Sequence, residues 1–374
     1  MYAIDVDGDG DFDVVAASRN DNKIAWHEND GNQGFTEHII SNTADGAHAV
    51  YPVDLDNDGD LDMLSASRDD NRIAWYENDG SQNFTTFTIS SAALEAYDVY
   101  ASDIDSDGDM DVVSASGGDN KIAWYQNDGN ENFTTRVVST NADFARGIYA
   151  DDINGDGNMD IISASRDDFK ISWYQNDGNE NFLERIVSNQ IVSAFAVQSG
   201  DLDQDGDIDF IAGGSAAEVY WHENDGNESF TRKILSPTTL GPPFIDQPRH
   251  VYATDVDADG NVDILAASGN DDRISLLLNN GNSGFYFREI STNADGAIRV
   301  HAADVDSDGD VDILSASTED NKLAWYENNG SANFNEHVIS TNAIGARYIY
   351  AVDLDNDGDM DVLSASNDDN KIAW

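Results

Sequence analysis

Cysteine is absent from the 374 residues, so no disulfide can staple the fold. Proline is scarce: there are five, and four of them fall in one segment between Pro237 and Pro248. Basic residues are few. The 19 Lys and Arg stand against 73 Asp and Glu, and the formal net charge is −54. That balance excludes nucleic acid and anionic membrane as partners, because both need a positive face. No apolar run approaches the roughly 20 residues of a membrane-spanning helix, so membrane insertion is not expected. Helical periodicity is missing, as are a nucleophile elbow, a zinc-type His/Cys cluster and a phosphate-cradling glycine loop. No catalytic residue is expected.

What the chain has in abundance is aspartate, placed with a fixed rhythm. One nine-residue loop, Asp-x-Asp-x-Asp-Gly-Asp-x-Asp in its commonest form, occurs eight times. Its odd positions are Asp5, Asp7, Asp9, Asp11 and Asp13 in the first copy and Asp54, Asp56, Asp58, Asp60 and Asp62 in the second. The third holds Asp103, Asp105, Asp107, Asp109 and Asp111, and the fourth Asp152, Asn154, Asp156, Asn158 and Asp160. The fifth holds Asp201, Asp203, Asp205, Asp207 and Asp209, and the sixth Asp255, Asp257, Asp259, Asn261 and Asp263. The seventh holds Asp304, Asp306, Asp308, Asp310 and Asp312, and the last Asp353, Asp355, Asp357, Asp359 and Asp361.

Closely spaced oxygen ligands on a tight turn suit a hard cation of flexible geometry. Calcium fits, whereas magnesium demands a near-ideal octahedron and keeps its waters. Position six is glycine in every copy (Gly10 in the first), which permits the turn that folds later ligands back on the ion. In the first loop Asp5, Asp7, Asp9 and Asp13 are expected to ligate through side chains, and Asp11 through its backbone carbonyl. The fourth loop, with Asn154 and Asn158, is expected to bind more weakly. Acidic turns that bind nothing are the alternative, but four or five carboxylates within nine residues repel one another strongly without a cation. One calcium per loop, up to eight, would return sixteen charges and leave about −38. Such a residual charge suits a saline, calcium-rich medium, so a secreted or cell-surface location is expected.

The loops recur every 49 residues, except for 54 between the fifth and sixth. Within one period the sequence reads as four short strands. In the third repeat these are 111–116, 121–127 and 133–138, with a fourth run at 145–150 before the next loop. Asp128-Gly129-Asn130 is a hairpin-type turn signal. Four strands in 40–50 residues is the arithmetic of a β-propeller blade. The fold class expected is therefore all-β, a single propeller domain over 1–374. Its repeat units are 2–50, 51–99, 100–148, 149–197, 198–251, 252–300, 301–349 and a partial 350–374. The partial unit supplies three strands, which favours eight blades over seven. Because the chain begins and stops mid-repeat, a longer precursor is expected. All seven tryptophans (Trp26, Trp75, Trp124, Trp173, Trp221, Trp325 and Trp374) share one repeat position, with Leu276 in the sixth repeat. Inter-blade core is the simplest role for them, and a sugar-stacking platform is the alternative.

With the loop and the apolar strand after it, as in Asp54-Leu55-Asp56-Asn57-Asp58-Gly59-Asp60-Leu61-Asp62-Met63-Leu64, the whole chain resembles the FG-GAP/VCBS-type calcium propellers. These include the integrin α-subunit head and many secreted bacterial proteins. The resemblance implies a calcium loop between the first two strands of each blade. Seven blades are commonest in that family. Its functions are mixed: adhesion heads, lectins that bind N-acetylglucosamine, and polysaccharide lyases. It therefore implies fold and metal more than function.

Function on a regular scaffold is sought where repeats differ. One departure is the fifth unit, with a shortened turn at 213–217 and the proline-rich insertion at 237–248. Another lies six residues before each loop, at His48, Tyr97, Arg146, Phe195, Arg249, Ile298 and Arg347, with His250, Arg299 and Tyr348 beside them. Arginine and aromatics there could hold a carboxylated or sulfated sugar, through bidentate contacts and stacking. Pairing of each arginine with a rim aspartate is the structural alternative. The candidate ligand residues are His48, Tyr97, Arg146, Arg249, His250, Arg299, Arg347 and Tyr348. The expected function is a binding module for carbohydrate or an extracellular protein ligand, lectin-like or adhesive. The alternatives are a structural or surface-fibre module and, less favoured, a polysaccharide lyase.

Overall fold

Each repeat becomes one antiparallel sheet, and the third shows why. Its strands are Ala96–Ser102, Asp111–Ser116, Lys121–Asn127 and Phe133–Ser139, hydrogen-bonded in that order. The second strand, Asp-Val-Val-Ser-Ala-Ser, is small or β-branched at every position and buried throughout, so both of its faces can be covered. The fourth, Phe-Thr-Thr-Arg-Val-Val-Ser, is largely polar and mostly open to solvent, as an edge strand should be. Burial is greatest in the second strand and declines from there to the outer edge.

The computed structural model describes residues 1–31, 34–191, 196–214, 218–227, 229–235, 245–281 and 284–374. It is an all-β propeller of eight blades. Seven have four strands, and the eighth has three: Ala346–Val352, Asp361–Ser366 and Lys371–Ala373. The expected strand assignments hold to within a residue in the third repeat. The repeat boundary moves, because the first strand of the second blade already begins at Ala47 and runs to Val53. Phe195, the 215–217 part of the shortened turn and the 237–244 part of the proline-rich insertion lie outside the described residues.

The chain divides into two compact units. Met1–Gln190 with Leu354–Asn356 forms the first, and Ile191–Asp353 with Asp357–Trp374 the second. In each, the first strands of successive blades adjoin one another, and the faces of neighbouring blades share one core. Leu64 and Trp75 of the second blade pack with Val99, Val112 and Tyr125 of the third. Trp26, Trp75, Trp124, Trp173 and Trp221 are all fully buried, so they are blade core and not a stacking platform. Trp325 is partly buried, and Trp374 is 42% exposed in the short eighth blade. Each buried indole is covered by a flat or cationic cross-strand partner. His38 stacks on Trp26 at 4.7 Å, Phe87 on Trp75 at 4.9 Å, and the Arg136 guanidinium lies 5.3 Å from Trp124.

A second pairing shows how strictly buried polar groups are satisfied. The hydroxyls of Tyr76, Tyr125, Tyr174 and Tyr326 meet Ser65, Ser114, Ser163 and Ser315 at 3.1–3.4 Å. Where His27, His222 or Leu277 replaces the tyrosine, the serine position is Ala16, Ala212 or Ala266. A buried hydroxyl without a partner costs about 1–3 kcal/mol, so the two positions change together.

Candidate functional site

The acidic loop joins the first and second strands of every blade, and its geometry follows from two backbone positions. Position six is glycine at φ between 89° and 99° in all eight copies. Position four is also left-handed throughout, from 54° at Asn356 to 76° at Gly8, even where the residue is Ala258. Together these turns wrap the loop around its own carboxylates. In the third loop Asp103 Oδ1 accepts from the Asp107 amide and Oδ2 from the Gly108 amide, both at 3.1 Å. Asp107 Oδ1 accepts from Asp109 N at 3.0 Å.

The carboxylates at positions one, three, five and nine converge. One oxygen from each of Asp103, Asp105 and Asp111 lies within 4.8 Å of the others. The same holds for Asp5, Asp7 and Asp13, for Asp201, Asp203 and Asp209, for Asp54, Asp56 and Asp58, and for Asp255, Asp257 and Asp259. Several of these oxygens are orphans: Asp54 Oδ1, Asp105 Oδ1 and Asp203 Oδ1 are buried with no hydrogen-bond donor. Burial, reinforced by neighbouring carboxylates, pushes Asp203 up to about 6 and Asp111 up to about 7. An oxygen-only donor set with orphaned, mutually repelling members fits a divalent cation of calcium's size.

The position-nine aspartate does more than the sequence suggests. Asp111 is fully buried and accepts two backbone amides, Asn127 N at 2.7 Å and Ile104 N at 3.1 Å. It latches the loop to the third strand. The position-seven side chain turns away, since a methyl group added at Gly129 would sit 2.3 Å from Asp109 Oδ2. Its backbone is then the part left to face the centre of the loop. In the fourth loop the amides of Asn154 and Asn158 donate to Asp156 at 3.0 and 2.7 Å. Burial would raise Asp156, but these donors and the Asn158 backbone amide outweigh it and hold the carboxyl low. Less charge there is left uncompensated for a cation.

Sequence reading missed one residue of this assembly. In the seven four-stranded blades an asparagine ends the third strand, and in five of them the side chain crosses to a neighbouring loop. Asn127 Nδ2 donates to Met110 O in its own loop at 3.1 Å and to Leu55 O of the preceding blade at 3.4 Å. Asn176 and Asn279 repeat this with Ile104 and Leu202, and Asn29 reaches Leu354 O at 2.5 Å. The signal was visible as Asn29, Asn78, Asn127, Asn176, Asn224, Asn279 and Asn328 at one repeat position.

The second set of candidates lies at the other end of the first strands. His48, Tyr97, Arg146, Arg249 and Arg347 are each the extra residue of a β-bulge, which re-aims the side chain. The structure brings the candidates together in two groups, one in each unit. In the first unit, His48 Nδ1 donates to Tyr97 O at 2.7 Å, and the two rings meet edge to face at 4.7 Å. Arg146 and Arg68 lie 5.2 and 5.4 Å from the Tyr97 ring. Crowding by protein atoms, with the charges of Arg146, Arg19 and Arg68, pushes His48 down to about 4, although part of its surface stays open to solvent. Arg68 pairs with Glu95 at 3.4 Å and Arg166 with Asp167 at 2.6 Å, but neither is one of the candidate arginines. Among the described residues Arg249 and Arg347 form no ion pair, and Arg249 donates to Gln247 at 2.8 Å.

In the second unit, Arg299 Nη2 donates to the Tyr348 hydroxyl at 2.9 Å, with the guanidinium 3.7 Å over the ring. His250 lies close enough to Arg299 to feel its charge. Burial first, then Arg299 and His301, push it down to about 3.

Eight blades, each with an acidic loop after its first strand, define a β-propeller built on one repeated loop-bearing unit. The model of the FG-GAP-like repeat matches residues 5–65, 54–114, 103–163, 152–212, 201–266, 255–315 and 304–364, and the chain belongs to that family. None of the curated proteins matches it. Among solved structures, the chain is similar to an Agrocybe aegerita lectin described for specific recognition of non-reducing terminal N-acetylglucosamine. The identity is 16%, the coverage 95% of both chains and the TM-score 0.60. It is also similar to the dihydro-heme d1 dehydrogenase NirN in complex with DHE, at 10% identity, 97% of this chain, 72% of that one and TM-score 0.66. A Lactobacillus plantarum protein matches at 12% identity, 86% of this chain, 94% of that one and TM-score 0.55. At these identities the likeness is one of fold.

Proposed function

We propose that the protein is a secreted or cell-surface carbohydrate-binding module whose blades are stabilised by calcium. Positions one, three, five and nine of each loop would hold the ion through side chains, and position seven through its carbonyl. Bound calcium would neutralise the convergent carboxylates and hold each loop in one conformation.

The observation that carries the sugar-binding reading is a cleft of about 150 Å³ between the second and third blades, beside the loops. Phe133, partly exposed and edge to face at 6.3 Å with the buried Trp75, forms its apolar floor. Asp109 and Glu131 supply hydrogen-bonding groups beside it, and the loop residues Asp56 and Asp58 border it. An apolar floor ringed by a few convergent polar groups is what a small polar ligand with one hydrophobic face requires. The fold likeness to a lectin supports the same reading. Repeated blades offer related clefts, so multivalent ligands gain avidity without new contacts.

A glycan array probed in millimolar calcium tests this. Glycans ending in N-acetylglucosamine are the first to examine. Binding to a defined set, lost on chelation because the loops border the cleft, is the expected result. No binding to any glycan on the array would overturn the reading in favour of a structural module.

A further inference from the structure

Three adjoining first strands of the second unit, Pro248–Thr254, Ala297–Ala303 and Ala346–Val352, carry two rows of histidine, arginine and tyrosine side chains. One row is His250, Arg299 and Tyr348, which occupy the same register position opposite Ala267, Ala316 and Ala365. Two residues further on, and so on the same face of each strand, the next row is Tyr252, His301 and Tyr350. The rows are in contact. Tyr252 meets His301 at 5.4 Å, His301 meets Tyr350 at 4.4 Å, and His250 stacks toward Tyr252 at 6.5 Å.

We propose that this grid, centred on Arg299, binds the carboxylate or sulfate group of an acidic sugar. The sugar part rests on the carbohydrate reading above, whereas the oxyanion part stands on these side chains alone. Arg299 is held flat by stacking on Tyr348 and by its bond to the Tyr348 hydroxyl, so the planar fork is oriented before a ligand arrives. Among the described residues, the titratable groups that act on its neighbours His250, His301 and Tyr252 are neutral donors or cations. The charged or titratable groups acting on His250 are Arg299 and His301, and Arg299 alone acts on His301. Tyr252 feels Tyr350, Arg299 and Tyr348. Among the described residues no carboxylate acts on these three, in a chain with 73 acidic residues. The histidines are neutral near pH 7, so each carries one N–H donor.

The scaffold itself does not ask for this chemistry. At the register position of Arg299 the second, third and fourth blades carry Ala49, Asp98 and Gly147. Arg249 and Arg347, exposed on the bulges of the flanking strands, add positive charge beside the grid.

Titration calorimetry on the full chain in calcium buffer tests the proposal. The ligands are a uronate trisaccharide, a sulfated trisaccharide and an uncharged trisaccharide. At least one acidic ligand should bind more tightly than the uncharged one, and the two acidic arms identify which oxyanion is preferred. Arg299→Gln should weaken that binding at least tenfold, and Arg299→Lys should recover part of it. Tyr252→Phe, which keeps the ring, should weaken acidic binding severalfold and serves if the arginine variants fail to fold. The proposal is overturned if neither acidic ligand binds in preference, or if Arg299→Gln and Tyr252→Phe bind them as the unchanged protein does. Uncharged glycans that still bind in that case would leave the carbohydrate reading standing.

Discussion

Excess chelator is expected to abolish cooperative folding at temperatures where the calcium-loaded protein is intact. At a calcium concentration one hundred times its dissociation constant, each site adds about 2.7 kcal/mol to the folded state. Two or three such sites already match the roughly 5–15 kcal/mol by which an ordinary domain is stable, and this chain has eight loops. Removing the ions also leaves Asp103, Asp105 and Asp111 facing one another with no counter-charge. Calorimetric melting in calcium and in chelator measures the effect, and the melting temperature should fall by tens of degrees. An unchanged melting curve would mean that the loops are held by their internal hydrogen bonds alone.

Replacing a single position-nine aspartate should be the costliest change within one loop. Asp111→Ala strands two buried amides, Ile104 N and Asn127 N. Each costs about 1–3 kcal/mol unsatisfied, so a loss of about 3–5 kcal/mol is expected before the lost ligand is counted. Asp109→Ala is the control. Its side chain is partly exposed and turned toward Gly129, and its carbonyl survives the substitution, so the loss should stay below about 1 kcal/mol. Denaturant melts of the two variants decide the matter, and equal losses would show that position nine is no latch.

The sequence makes the blades legible because two periodicities coincide, the acidic loop and the apolar second strand. Asp111–Ser116 and Lys121–Asn127 can be read directly, and the missing fourth strand of the last blade follows from counting. The latch is hidden because aspartates at alternate positions look alike on paper, and only the fold buries Asp111 and exposes Asp107. The asparagine contact is hidden for a different reason. Asn127 reaches Leu55, 72 residues away, and no local pattern announces a partner in another blade. The bulges are silent as well. A bulge inserts one residue without changing composition, so the separate roles of Arg249 and His250 do not follow from their adjacency. The row Tyr252, His301 and Tyr350 was present as a repeat position. Its meaning depends on which first strands adjoin, and that is a property of the assembled blades.

Whether the eight loops hold calcium is decided by anomalous diffraction from crystals grown in millimolar calcium. A calcium peak is expected inside the acidic loops of the blades, weakest in the fourth, where Asn154 and Asn158 reduce the charge. Loops free of anomalous density under those conditions would contradict that expectation.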